Sequence, residues 1–194
     1  MPLLPPQQRK LLIAVVVLAI SVGGGWLWSR VSEPTLDARL TTPGEVPYPT
    51  IATNSEVAGT SLPQASLLTL DNKTIDSSKL IGKPLILNFW YSTCEPCRRE
   101  MPVLTASALV HSATIQFVGI NMNDSVETAK EFITKYNVLY DIMFDTSGSF
   151  IGDLGIATAP MTLFVDVQGI IVDQVAGEIT ADKLESLIAK WFAQ

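Results

Sequence analysis

The feature that most constrains this chain is an apolar segment near its N-terminus, residues 11–29, which carries no charged side chain. A helix over these residues would be about 29 Å long, close to the thickness of the hydrocarbon core of a bilayer. Arg9 and Lys10 precede the segment, and the positive-inside rule then places residues 1–10 in the cytoplasm as a short tail. We therefore predict a single-pass signal anchor in the cell membrane, with the rest of the chain on the extracytoplasmic side.

The same segment has a second interpretation, a cleaved signal peptide with its apolar region over Leu11–Val22. Gly23 and Gly25 are small enough for a cleavage site, but the usual Ala-x-Ala pattern is absent. Trp26 and Trp28 favour the anchor because aromatic rings prefer the headgroup layer at the end of a membrane helix. The mass of the mature protein distinguishes the two interpretations.

Charge is distributed unevenly along the chain. Residues 1–30 have a net charge of +3, whereas residues 31–194 contain 10 of the 13 basic residues and all 19 acidic residues, a net charge of −9. So acidic a surface repels phosphate groups, and we expect no nucleic-acid partner.

Composition divides the remainder of the chain into two parts. Residues 30–61 are rich in Pro, Thr, Ser, Gly and Glu and show no periodic apolar pattern, which predicts a flexible tether. Residues 62–194 have a globular composition and are long enough to bury one core. With only two cysteines in the chain, no network of disulfides holds this domain together.

Within the domain, short apolar runs alternate with segments of helical periodicity. The last two strands flank a Gln-Gly turn, which is typical of a hairpin. This pattern predicts an α/β domain with a mixed sheet. The predicted elements are a hairpin over residues 66–75, strands over Leu85–Tyr91, Thr114–Asn121, Met161–Val167 and Ile170–Val175, and helices over residues 95–110, over residues 126–136 and from Thr180 onward.

The chemistry of the domain is predicted to lie in Cys94-Glu95-Pro96-Cys97, which follows a buried strand and opens a helix. The N-terminus of a helix favours a thiolate, so Cys94 is expected to be the exposed, attacking sulfur. Cys97, one turn further on, is expected to be the buried sulfur that resolves a mixed disulfide. Pro96 occupies an early helical position, where its missing N–H costs little.

Charged residues around the pair have opposing effects on a thiolate. Glu95 and Glu100 are expected to oppose its formation at Cys94, whereas Arg98 and Arg99 favour it. The pKa of the pair therefore cannot be read from the sequence.

Three other uses of the two cysteines are weaker. A zinc site needs two more ligands, and His111, late in the helix, is the chain's one histidine and is expected to be a surface residue. Haem attachment requires a histidine directly after the second cysteine, where Arg98 stands. A structural disulfide that closes so short a loop would stabilise the fold little. Redox chemistry is the favoured interpretation.

The segment LNFWYSTCEPCRREMP, residues 87–102, resembles the active site of membrane-anchored, thioredoxin-like (redoxin-like) proteins of the TlpA/ResA/DsbE type. The resemblance covers about residues 62–194 and implies a thioredoxin-like fold with an N-terminal hairpin and a helix-containing central insertion. It also implies thiol–disulfide exchange outside the cytoplasm through a redox-active Cys94–Cys97 disulfide, with no other cofactor and no metal. Glu95, Pro96 and Trp90 are carried over as supporting residues of the active site.

Two further positions match this family. Pro160 in Thr-Ala-Pro-Met-Thr corresponds to a cis-proline that faces the cysteines, and Ala159 corresponds to the residue whose backbone binds the client chain. Asp124 corresponds to a functional acid after the central strand. Read from the sequence alone, Asp124 is equally well explained as the N-cap of a helix that begins near Ser125.

The chain also departs from related patterns. Asn88 stands where thioredoxin has a buried aspartate, which removes one proton acceptor and favours the specialised anchored subgroup. Thr93 replaces the tryptophan that usually precedes the first cysteine, and Met161 replaces a common threonine after the proline. Both positions line the docking surface that the resemblance implies.

The leading functional hypothesis is a tethered reductase for specific disulfides outside the cytoplasm. The resemblance implies protein clients such as apocytochrome c, in cytochrome c-type biogenesis, and a membrane electron-donor protein that regenerates the dithiol. Two alternatives use the same thiolates: a disulfide-forming oxidant of secreted proteins, and a Cu(I)-handling assembly protein, since soft Cu(I) suits a dithiolate.

Overall fold

The computed structural model describes residues 53–192, together with Pro5, Gln7, Gln8, Val16 and Ser21. The chain divides into two units, residues 1–48 and 49–194, and all elements given below belong to the second. The predicted anchor over residues 11–29 lies outside the described residues except at Val16 and Ser21. In the described part, no helix has both the length and the apolar character needed to span a bilayer.

Within residues 53–192, the described part of the second unit, there are seven strands, four α-helices and one 3₁₀ helix over Ser77–Leu80. The strands are β1 (Ser66–Thr69), β2 (Thr74–Asp76), β3 (Leu85–Trp90), β4 (Gln116–Asn121), β5 (Asp141–Phe144), β6 (Met161–Val165) and β7 (Ile171–Ala176). The helices are α1 (Glu95–His111), α2 (Val126–Tyr136), α3 (Ser149–Asp153) and α4 (Ala181–Phe192).

The seven strands form one sheet in the order β2-β1-β5-β4-β3-β6-β7. The three central strands, β5, β4 and β3, are parallel to one another, and the remaining pairs are antiparallel. This arrangement confirms the predicted mixed sheet, the N-terminal hairpin β1–β2 and the C-terminal hairpin β6–β7. Because the parallel strands run in one direction, their carboxyl ends meet at one edge, which is where α1 and α2 begin.

Strand β3 is buried on both faces, as its unbroken apolar sequence requires. Leu85, Leu87 and Phe89 belong to one apolar cluster, which also holds β1, β6 and α3 side chains. On the other face, Ile86 packs in a cluster with α1 and α4, and Trp90 packs in a cluster with both cysteines and α2. The strand that leads into the cysteine motif is therefore fixed by packing from both sides.

The folded domain begins before Leu62, so the boundary predicted there lies too far along the chain. Val57 is buried in the core, and Ser61 forms an isolated β-bridge with Ile170. The backbone N–H of Gly59 donates to the carbonyl of Ile171 at 2.8 Å. Composition assigns this segment to the tether because it has no apolar period, but its backbone pairs along the start of β7.

The apolar pattern assigns no element to residues 137–160, where the structure has β5 and α3. Both are very short, four and five residues, so neither covers enough positions to show a period. β5 is nonetheless essential to the sheet because it joins the β1–β2 hairpin to β4. Together with α2, it forms the helix-containing insertion expected in the middle of the domain.

Gly119 generates the first testable prediction. It lies in the centre of β4, opposite Asn88 of β3 and Ile142 of β5. A Cβ at this position would come within 2.5 Å of Ile142 Cδ1 and 2.8 Å of Trp90 Nε1. Gly119→Ala should therefore lower the free energy of unfolding by about 1–3 kcal/mol, through overpacking beside Trp90, as measured by urea denaturation.

Gly152→Ala is the matched control, since a Cβ on this exposed residue of α3 would meet no atom within 4 Å. It should be neutral or stabilising by up to about 1 kcal/mol, because alanine loses less backbone entropy in a helix. Equal stabilities of the two variants would contradict the packing described around Gly119.

Candidate active site

The two cysteines form a disulfide at the point where α1 begins, with an S–S distance of 2.03 Å and a Cα–Cα distance of 5.2 Å. Cys94 is the N-cap of the helix, and its Sγ accepts a hydrogen bond from the backbone N–H of Cys97 at 3.2 Å. Pro96 lies in the first turn, as predicted. The free N–H groups of this turn are those that would stabilise a thiolate at Cys94 after reduction.

The expectation of an exposed Cys94 is wrong for this oxidised form. Only 4% of Cys94 is exposed, and Cys97 is completely buried. Both sulfurs pack in the cluster that contains Trp90 and Met101. Cys94 is still the more accessible of the two sulfur-bearing residues.

The charged residues beside the disulfide neutralise one another. Arg98 pairs with Glu95 at 3.2 Å and also donates from Nε to the carbonyl of Ser92 at 2.8 Å. Arg99 pairs with Glu178 at 2.6 Å and lies 3.8 Å from Glu95. Because these pairs are exposed at the surface, they contribute little to stability. The helix N-terminus is therefore left as the main unpaired source of positive potential at Cys94.

Glu100 is completely buried, whereas Glu95, the other acidic residue near the pair, is exposed. Its carboxylate accepts hydrogen bonds from Asn88 Nδ2 at 2.7 Å and from the backbone N–H of Ile179 at 3.0 Å. Burial raises the pKa of Glu100 to about 7, although both hydrogen bonds act to lower it. A carboxyl that exchanges a proton near neutral pH thus lies one helical turn beyond Cys97.

Asn88 and Glu100 together form the polar interior of the site. Asn88 Nδ2 also lies 3.3 Å from Thr162 Oγ1 of β6, its register partner. Asn88 Oδ1 is buried and has no hydrogen-bond partner among the described residues. The titratable group of this interior therefore comes from the helix, where Glu100 lies, and not from the strand, where Asn88 lies. The sequence contains one signal for the position of Glu100. It lies three residues after Cys97, so the two side chains lie near the same face of the helix.

Trp90 ends β3 and is fully buried beside the cysteines. Its indole ring stacks on Phe132 of α2, with ring centroids 4.6 Å apart. Its Nε1 has no hydrogen-bond partner among residues 53–192. Trp90 forms part of the wall behind the disulfide.

The loop before β6 contains the two positions carried over from the family. The Ala159–Pro160 peptide bond is cis, as the resemblance implied. Ala159 is half-buried and packs against the cluster of the cysteines. In the described structure, neither its N–H nor its carbonyl has a hydrogen-bond partner, whereas the carbonyl of Pro160 accepts from Gly177 at 2.8 Å. The backbone of Ala159 is thus free to bind an extended chain.

Asp124 holds the loop that leads to Cys94. Its carboxylate accepts hydrogen bonds from the backbone N–H of Ser92 at 2.7 Å, from Ser92 Oγ at 2.6 Å and from Asn121 Nδ2 at 2.7 Å. Its interpretation as the N-cap of α2 is wrong, because Ser125 makes the capping hydrogen bond. With its oxygens occupied in this way, Asp124 is placed to position Ser92, two residues before Cys94.

A cavity of about 390 Å³ adjoins both loops of the site. Its wall includes Tyr91, three residues before Cys94, and Thr158, two residues before Pro160. Met122 and Ile151 add apolar surface. A cavity with such walls can receive a side chain of a bound polypeptide.

His111 lies at the other end of α1, about 21 Å along the helix from Cys97. Its Nε2 is 2.9 Å from Glu185 Oε2. Within the part of the chain that the structure describes, no cluster of three or more His, Cys, Asp or Glu side chains is arranged to hold a metal ion.

The sequence profile of the Redoxin family matches residues 57–188. The thiol-disulfide oxidoreductase ResA of Bacillus subtilis is 30% identical over 124 residues, which cover 63% of this chain and 69% of ResA. The solved structure of MTB dsbF superposes with a TM-score of 0.61 at 34% identity, covering 66% of this chain and 94% of dsbF. A putative thiol:disulfide interchange protein DsbE from Chlorobium tepidum superposes with a TM-score of 0.64 at 26% identity, covering 70% of this chain and 98% of the DsbE chain.

Glu100→Gln should flatten the pH dependence of the stability of the oxidised protein. Because the pKa of Glu100 rises from 4.5 to about 7 on folding, its contribution to the free energy of unfolding is present below about pH 4.5 and is lost as the pH rises through 7. In the wild type this loss should amount to up to about 3 kcal/mol between about pH 5 and pH 8. Urea denaturation across this range measures it.

Glu95→Gln is the control, because it removes an exposed carboxyl from the same helix. This variant should keep the pH dependence of the wild type. A wild-type slope in Glu100→Gln would show that Glu100 does not titrate in this range.

Proposed function

The chain belongs to the Redoxin family, as a thioredoxin-like thiol-disulfide oxidoreductase of the TlpA/ResA/DsbE group, and we propose that it reduces specific client disulfides outside the cytoplasm. The observation that carries this proposal is the disulfide that caps α1, with the buried carboxyl of Glu100 one turn beyond Cys97. The N-terminus of α1 favours attack by the Cys94 thiolate, and the carboxylate of Glu100 can take the proton that Cys97 must lose.

The reaction consists of two thiol–disulfide exchanges. The Cys94 thiolate attacks one sulfur of the client disulfide, which forms a Cys94–client mixed disulfide and releases the first client thiolate. Glu100, as carboxylate, accepts the proton of Cys97, and the Cys97 thiolate attacks Cys94 Sγ. This step forms the Cys94–Cys97 disulfide and releases the second client thiolate, which takes up a proton from solvent as Glu100 returns its proton to solvent. The client disulfide is reduced by two electrons and the enzyme dithiol is oxidised by two.

We assign client binding to the docking loop, residues 157–160. The free N–H and carbonyl of Ala159 can pair with an extended client segment, and the packing of Ala159 on the cysteine cluster brings that segment to Cys94. Tyr91 and Thr158 then border the cavity that takes a neighbouring client side chain. Main-chain pairing tolerates many sequences, so selectivity comes from this cavity and from the exposed Thr93 beside Cys94.

Apocytochrome c is the client class we propose, because its two haem-binding cysteines oxidise to a local disulfide that must be reduced before haem attachment. The chain is proposed to act from the outer face of the cell membrane, held by the predicted anchor over residues 11–29. A membrane protein with a dithiol is the proposed electron donor, since cytoplasmic reductants do not reach that side. In an oxidising compartment such a reductase depends on restricted access, which the low exposure of Cys94 favours.

Cys97→Ser should accumulate a mixed disulfide with an oxidised Cys-x-x-Cys-His peptide through Cys94, because the resolving thiol is missing. Mass spectrometry under non-reducing conditions detects the adduct. Cys94→Ser is the matched variant and should form little adduct, since Cys97 is completely buried in the fold. Equal trapping by both variants would contradict the roles assigned to the two sulfurs.

The proposed location predicts that a tag fused after Gln194 is exposed to the outside of the cell. Protease added to intact spheroplasts should remove this tag while a cytoplasmic marker stays intact. A tag that is cleaved only after lysis would place the domain in the cytoplasm.

A further inference from the structure

Asn54, in the segment that precedes the first strand, reaches across to the docking loop. Its Oδ1 accepts hydrogen bonds from the backbone N–H groups of Ala157 and Thr158, both at 2.8 Å. Its Nδ2 donates to the carbonyl of Thr158 at 3.0 Å. One side-chain amide therefore pairs with both backbone groups of Thr158, as a neighbouring strand would.

The loop has little other support at this point. Ala157 and Thr158 are exposed, and both lie outside any helix or strand. Apart from the hydrogen bonds of Asn54, the segment before β1 contacts the residues just before the loop through Ser55. The backbone N–H of Ser55 donates to the carbonyl of Gly155 at 2.9 Å. Gly155 allows this approach, because a Cβ there would collide with Ser55 Oγ. The conformation of residues 157–158 thus depends on a segment about a hundred positions earlier in the chain.

The segment is itself held firmly on β7. Gln174 accepts from the backbone N–H of Val57 at 2.6 Å and donates to the carbonyl of Ser55 at 3.0 Å. Val57 is buried in the main apolar cluster. The backbone next to Asn54 is therefore anchored to β7 and to the core, and the side chain of Asn54 can hold residues 157–158 in place.

We propose that Asn54 is a positioning residue for client binding: by holding both backbone groups of Thr158, it presents the free backbone of Ala159 to the client. This inference rests on the proposed function. Because Thr158 is already paired, Ala159 is the residue of the loop at which a client backbone can bind. Asn54 forms hydrogen bonds with the docking loop and not with the cysteines, so it affects docking and leaves the reactivity of Cys94 unchanged.

The test compares two substrates of the full-length chain. One is an oxidised Cys-x-x-Cys-His peptide, which needs the docking loop, and the other is the small disulfide dithionitrobenzoate (DTNB), which does not. In Asn54→Ala we expect kcat/KM for the peptide to fall about 10-fold, mainly through a higher KM, because docking geometry is lost. The rate with DTNB and the reduction potential of the Cys94–Cys97 couple should stay at wild-type values.

Glu56→Ala is the matched control, because it removes an exposed side chain of the same segment that accepts a hydrogen bond from the backbone N–H of Ala58 and does not bond residues 157–158. It should keep the wild-type KM for the peptide. Asn54→Asp keeps the acceptor for both N–H groups but loses the donor to Thr158, so its KM should lie between those of wild type and Asn54→Ala. This variant carries the test should Asn54→Ala fail to fold.

A wild-type peptide KM in Asn54→Ala would overturn the inference, as would an equal loss with both substrates or an equal loss in Glu56→Ala. If the wild-type chain reduces DTNB but no peptide disulfide, the proposed function fails instead, so the two failures are distinguishable.

Discussion

The active site depends on the junction between β3 and α1. Strand β3 is packed on both faces, so its end at Trp90 has little freedom, and the three residues that follow bring Cys94 to the N-cap of the helix. Asp124 ties this short loop to the neighbouring loop after β4 through Ser92. The reactive sulfur is thereby held at the positive end of a helix by the core of the domain, and this position favours its thiolate.

A second constraint is the polar pair that lies behind the disulfide. A buried carboxyl is costly unless it is hydrogen-bonded or protonated, and Glu100 is in the intermediate case, with two hydrogen-bond donors and a pKa of about 7. It can therefore be a carboxylate when Cys97 must lose a proton and a carboxylic acid at other stages. The strand supplies Asn88 as its hydrogen-bond partner, and the titratable carboxyl itself comes from the helix.

Patterns with enough positions to repeat were predictable from the sequence. The long strands, the three longer helices and the mixed sheet follow from apolar periodicity, and the cysteine motif is recognisable because a helix begins there. β5 and α3 were not predicted since each is too short to show a period. The burial of Glu100 and the pairing of Asn54 with Thr158 depend on contacts between segments that are far apart in the sequence. The type of a polar residue does not predict which distant segment it will contact. The cis peptide at Ala159–Pro160 was expected only from the family resemblance.

The central claim is that the Cys94–Cys97 dithiol donates electrons to client disulfides. The most direct test is the reduction potential of this couple in the full-length chain, equilibrated against defined thiol buffers with rapid trapping of free thiols. A potential near or below about −250 mV is the predicted result, because such a dithiol gives up electrons readily. A potential near about −120 mV would contradict the account, since the protein would then oxidise its clients instead of reducing them.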